Sequence, residues 1–110
     1  MYLPKHFAVD DADQIAAFVA RCGAADLVSV DSAGQPVATL MPCIWEPAAD
    51  GAGTLYMHMS RANEQWKSIA EGDRGLAIVH GEQAYITPSS YPSKADTGKV
   101  VPTWNYTAVH

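Results

Sequence analysis

Apolar positions recur with a helical period over residues 11–22 and with an extended period along most of the chain beyond. Ile15, Phe18, Val19 and Cys22 fall on one helical face. Asp11 opens that segment with Gln14 three residues on, the spacing of a capping pair, and Gly23 stands where such a helix stops. Residues 25–31 then read as a strand, Ser32-Ala33-Gly34-Gln35 as a turn, and 36–45 as the hairpin partner. Pro42 inside that partner predicts a bulge or an edge position. Residues 47–53 form a loop. Over 54–59 the alternation is clean: Leu55, Met57 and Met59 share one face, Thr54, Tyr56 and His58 the other. Ala62, Trp66, Ile69 and Ala70 return to helical spacing, and Gly72 ends it. Residues 75–80 and 83–87 read as a hairpin about a Gly81-Glu82 turn. A Pro/Ser/Lys-rich loop covers 88–98, and residues 100–109 form a last strand. The expected fold is one mainly β domain, a six-stranded antiparallel barrel with two short helices packed at its ends.

Composition narrows the function more than the fold. The 110 residues carry a formal net charge of −5 with no basic run, so DNA contact by this segment is not expected. No apolar stretch approaches the ~20 residues that span a membrane, and the N-terminus has no signal-peptide core. A cytoplasmic protein without a membrane partner is the expectation. Cys22 and Cys43, with no C-x-x-C, read as reduced thiols rather than a bridge. His6, His58, His80 and His110 lack metal-ligand spacing, and no G-x-S-x-G elbow is present. Asp10, Asp11 and Asp13 sit at a helix start, where dipole and capping account for them. No metal site and no catalytic residue is expected.

Three segments hold more polar and aromatic chemistry than a bare scaffold needs. At Ser60-Arg61, a strand runs into a helix, and a fork-shaped cation beside free N–H groups makes a phosphate cradle. An ordinary cap beside a solvated arginine is the commoner arrangement at such a junction. Tyr85, Ser89, Ser90, Tyr91 and Lys94 place hydroxyls and a cation on a long loop, which suits a polar ligand or plain turn chemistry. Trp104 and Tyr106 share a strand face, from which they stack on a flat ring, fill a core or line a dimer interface.

These segments, in order and with matching spacing, resemble the PaiB-like family of FMN-binding negative transcriptional regulators. Met1-Tyr2-Leu3-Pro4 and Phe7 open the resemblance. His58, Arg61-Ala62-Asn63 and Gln65-Trp66 resemble the family's G-H-L-A-R-A-N-P-Q-W run. Tyr85-Ile86-Thr87-Pro88-Ser89, Tyr91-Pro92 and Lys94 resemble Y-I-S-P-S-W-Y-P-x-K. Val101-Pro102-Thr103-Trp104-Asn105-Tyr106 with Val109-His110 resembles V-P-T-W-N-Y-x-x-V-H. The chain departs from the pattern at Met57, Glu64 and Ser90, where the family has Gly, Pro and Trp.

The resemblance implies a flavin-reductase-like split β-barrel, a homodimer with FMN at the subunit interface. It implies that the phosphate lies at Ser60 and Arg61 and that the strand around Thr39, Leu40 and Met41 runs along the isoalloxazine ring. Tyr56, His58, Asn63, Lys94 and Trp104 complete the implied cofactor set. Family members continue past the Val-His pair, so a chain of this length is expected to leave a strand edge open, which favours dimerisation. An FMN-binding regulator is the leading function. An FMN-dependent oxidoreductase acting on a small molecule, and a ligand-free remnant that only dimerises, are the alternatives.

Overall fold

Asp11 does cap the first helix. In a computed structural model, which describes residues 3–49 and 52–110, α1 spans Ala12–Cys22. The Asp11 carboxylate accepts from the Gln14 N–H at 3.0 Å and from the Gln14 side chain at 3.1 Å. These bonds, the backbone one first, hold the Asp11 carboxyl below the usual aspartate range. Gly23 closes the helix in the left-handed region at φ 66°. Met1 and Tyr2 of the opening motif, and Asp50 and Gly51 of the 47–53 loop, lie outside the described residues.

Among the described residues five antiparallel strands form one sheet: β1 (Ala24–Val30), β2 (Pro36–Pro47), β3 (Gly53–Met57), β4 (Leu76–Ile86) and β5 (Thr103–Val109), in the order β3-β2-β1-β4-β5. The β1–β2 turn is built by Asp31, whose carboxylate accepts from Ala33 N–H and Gln35 N–H, both at 2.9 Å. Gly34 supplies the positive φ of 78°. A second, short helix, α2 (Ser93–Thr97), lies inside the expected 88–98 loop. No helix among the described residues is long and apolar enough to cross a membrane.

The mainly β expectation holds, but among the described residues the sheet has five strands rather than six and does not close into a barrel. The expected hairpin about Gly81-Glu82 is one continuous strand, β4, with a bulge between His80 and Gln83 where it pairs with β5. Gly81 serves closeness rather than turning. A Cβ there would meet Cε2 and Cζ of Phe18 at 2.6 Å and Thr107 O at 3.2 Å. The glycine lets the Phe18 ring pass over the strand, and the bulge absorbs the extra residue. Gly81→Ala is therefore expected to destabilise the fold by about 1–3 kcal/mol through overpacking, read as a lower urea midpoint. An unchanged midpoint would mean that Phe18 yields freely.

One face of the sheet is packed and the other is open. On the inner face α1 buries Phe18 and Val19 against Ala25, Cys43 and Val79. Both cysteines are free, and burial first, then the nearby Cys22, pushes the Cys43 thiol up, so it is a poor thiolate. On the outer face the register places Leu40 beside Asp26, Asp26 beside Ile78, Ile44 beside Tyr56, Val28 beside Leu76 and Tyr85 beside Trp104. Leu40, Ile44, Tyr56, Leu76, Tyr85, Trp104 and Tyr106 are all exposed there, Leu40 at 65% and Ile44 at 71%. The radius of gyration, 18.0 Å, exceeds the roughly 13 Å of a compact chain near this length. The sheet is open and its outer apolar face is bare.

Candidate functional site

The chain leaves β3 before the sheet is complete. β3 pairs with β2 only over Cys43–Pro47, ending with Met57 opposite Cys43. The His58 N–H reaches Pro42 O at 3.3 Å, and residues 59–63 then turn away. Pro42 O thus faces the β3 side, while the Cys43 N–H faces the β1 side, donating to Gly23 O at 3.0 Å. Alternate residues of a strand direct their backbone groups the same way. The N–H and C=O of Leu40 accordingly point to the β3 side, beyond the last β2–β3 rung. Pro42 is tolerated because its missing N–H lies on this free edge.

Residues 58–63 run beside that edge between two ties, His58 N–H to Pro42 O and Asn63 Nδ2 to Thr39 Oγ1, and the stretch beside Leu40 between them is termed the notch. Asn63 anchors them: its Nδ2 donates to Thr39 Oγ1 at 2.9 Å, and its Oδ1 accepts the Gln65 N–H at 2.9 Å. The expected helix over 62–70 is a five-residue 3-10 helix, Glu64–Ser68, and Asn63, not Ser60, caps it. A single 3-10 turn carries little dipole, so an anion here depends on side chains and local N–H groups. Ser60 makes a local turn, accepting from Ala62 N–H at 3.2 Å, which leaves its own hydroxyl proton free. Trp66 Nε1 donates to Arg61 O at 3.2 Å and holds the Arg61 backbone. The Arg61 guanidinium is exposed and has no ion-pair partner among the described residues.

Glu64 does not act as a free charge against an incoming anion. Its carboxylate is paired with Lys67 Nζ at 2.7 Å. The pair is exposed and adds little stability, but it offsets the charge locally.

The expected cofactor set divides in two. Thr39, Leu40, Met41, Tyr56, His58, Ser60, Arg61 and Asn63 surround or flank the notch. Within this group, Thr39 and Met41 point to the inner face, Met41 being buried, and Leu40 and Tyr56 to the outer. Met41 can reach a ligand only through its backbone. Lys94 and Trp104 lie at the far side of the sheet. From β2 to β5 is three strand spacings, about 14 Å along the sheet. There Lys94 Nζ donates to Ser89 Oγ at 3.3 Å, Tyr91 OH to Thr103 Oγ1 at 2.9 Å, and Trp104 Nε1 to Gln83 Oε1 at 3.0 Å. Trp104 and Tyr85 rings stand 6.4 Å apart. One copy of the chain does not bring the two groups together.

Two clefts elsewhere are distinct from the notch. One of about 370 Å³ is lined by residues including Ser29, Ile69 and Arg74, and one of about 240 Å³ by residues including His80, Gln83 and Tyr106. Neither contains an expected cofactor residue. The functionally informative side chain that hydrophobic patterning missed is Gln65, 3% exposed. Its signal was its place in the Asn63-x-Gln65-Trp66 motif, not its polarity.

An unpaired guanidinium, a hydroxyl with a free proton and an open strand edge suit a planar heterocycle that carries a phosphate. The fold is a mainly β domain whose sheet is open on one edge. Over residues 1–110 the chain matches, and belongs to, the family described as "Putative FMN-binding domain". The description supports FMN as the cofactor. The chain is 34% identical over its whole length to Protease synthase and sporulation protein PAI 2 of Bacillus subtilis, covering 50% of that protein. It is 30% identical over 73 residues, 66% of this chain and 43% of the relative, to an uncharacterized protein of Saccharomyces cerevisiae. A 37% identity over 75 residues links it to an uncharacterized protein of Aspergillus fumigatus, covering 52% of this chain and 29% of the relative. The chain thus spans half or less of the length of these curated relatives. No solved structure matches it significantly.

Proposed function

We propose that this chain binds FMN between two copies of itself, and that it serves a PaiB-like regulatory protein rather than an enzyme. The observation that carries the reading is the notch. It offers a free strand edge at Leu40 and an Arg61 without an ion-pair partner, and among the described residues none is seen to face it from the other side. A small-molecule site buries most of its ligand, so a second surface must close it. The bare outer face supports a second copy of the chain in that role. Contiguous apolar patches larger than a few hundred Å² mark interaction surfaces.

In this arrangement Arg61 and Ser60 hold the phosphate, and the Leu40 N–H and C=O read the polar edge of the ring system. Tyr56 and His58 border the ring, while Trp104 and Lys94 come from the partner copy. Strands of the two copies, facing across the outer surface, complete the split barrel. When bound, FMN supplies redox chemistry. The chain's own groups bind, orient and exclude water. The net charge of −5 supports an indirect regulatory effect rather than DNA contact by this segment.

Titrating the purified protein with FMN, while following flavin fluorescence and dimer mass, tests the reading. Saturable binding by a dimer, without turnover of NADH or NADPH, is the expected result. Protein that stays colourless in excess FMN would overturn it, and sustained NADH turnover would replace the regulator with an oxidoreductase.

A further inference from the structure

Gln65 is buried, with one end of its amide bonded and the other unpartnered. Its Nε2 lies 3.0 Å from Leu27 O, 3.0 Å from Ser29 Oγ and 3.3 Å from Val37 O. Leu27 O and Val37 O only accept, so the nitrogen of the carboxamide must face them. Its Oε1 is buried with no partner among the described residues. The unpartnered carbonyl oxygen carries a desolvation cost, so the amide is kept for the bonds its nitrogen makes. What the amide provides is location. It spans two rungs of the β1–β2 ladder, Leu27 with Thr39 and Ser29 with Val37, one on each side of the Val28–Ala38 rung. Two residues upstream, Asn63 binds Thr39 on the first of those rungs and also caps the Gln65 N–H. Residues 63–65 are thereby fixed to β2 at Thr39 and Val37, on either side of Ala38 and next to Leu40.

We propose that Gln65 is the positioning residue of the flavin notch. Through Asn63 it sets the height of residues 60–63 against the Leu40 edge, and so presents the Arg61 guanidinium to the phosphate. The inference rests on the FMN reading above. It makes Gln65 matter for the phosphate end of the ligand and not for the ring.

Affinities for FMN and for riboflavin, which lacks the phosphate, separate this role from a purely structural one. In Gln65→Leu the FMN affinity is expected to fall about three- to thirty-fold while riboflavin affinity holds. Arg61→Ala, costly in the wild type, is expected to cost far less in the Gln65→Leu background, because the guanidinium is already misplaced. Equal losses for the two ligands, or strictly additive effects of the two substitutions, would overturn the proposal. Should Gln65→Leu fail to fold, Ser29→Ala removes one anchor of the same amide from outside the notch. It should shift the FMN-to-riboflavin ratio in the same direction, and an unmoved ratio counts against the role. A wild-type protein that binds neither ligand condemns the FMN reading itself, whereas tight wild-type FMN binding with additive variants condemns only the role of Gln65.

Discussion

Arg61→Ala is expected to weaken FMN binding roughly ten- to hundred-fold and to leave riboflavin binding untouched. A hydrogen bond to a charged group contributes about 1.5–3 kcal/mol, and each 1.4 kcal/mol is a factor of ten in Kd. The side chain is exposed and unpaired, so its removal should leave folding stability within about 0.5 kcal/mol. Arg61→Lys should fall between the two, since a lysine keeps the charge but lacks the planar fork that grips two phosphate oxygens at once. Isothermal titration with the two ligands, beside a urea melt of each variant, reads all of this. Loss of riboflavin binding in Arg61→Ala would place the guanidinium against the ring, and unchanged FMN affinity would remove it from the site. Salt should weaken FMN binding in the wild type more than in Arg61→Ala, because an exposed ion pair is screened.

What the sequence disclosed and what it hid follow from where the deciding interactions lie. α1 was legible because its signals are local: Asp11 with Gln14 at one end and Gly23 at the other. The turn over residues 32–35 was legible for the same reason, although Asp31, whose carboxylate builds it, read as the end of the strand. The Gly81-Glu82 segment misled because a glycine demanded by the Phe18 ring across the core looks like a glycine demanded by a turn. The helix expected over 62–70 rested on Trp66 and Ile69 as core residues, yet both are exposed and the residue that packs inward is Gln65. Hydrophobic periodicity cannot see a buried amide. Of the site, the motif located Ser60, Arg61 and Asn63, but the free edge at Leu40 depends on β3 ending at Met57, a matter of strand register. The separation of Lys94 and Trp104 from the notch depends on β1 and β4 being neighbours, which no local pattern encodes.

That separation makes the second copy necessary to the proposed site, and Ile44→Asp tests it. Ile44 lies on the outer face opposite Tyr56, 71% exposed in the single chain, so a carboxylate there costs the isolated fold little. In a dimer built on this face the same position is expected to be covered. Burying an isoleucine side chain contributes about 1.5–3 kcal/mol, and a two-fold interface contains the residue twice. Losing both contributions weakens dimerisation by at least about a hundred-fold, before the cost of forcing two carboxylates into an apolar contact. Ile44→Asp is thus expected to be a folded monomer by light scattering, with the far-ultraviolet circular dichroism of the wild type. Because the monomer leaves the notch without its facing wall, FMN affinity should fall with the dimer. Trp104→Ala should act differently: it removes a flat wall from the partner's side, weakening riboflavin and FMN alike while leaving much of the dimer intact. A monomeric Ile44→Asp that still binds FMN with wild-type affinity would show the notch to be sufficient alone. An Ile44→Asp dimer of undiminished strength would move the interface to another surface, for which the open edge of β5 is the next candidate.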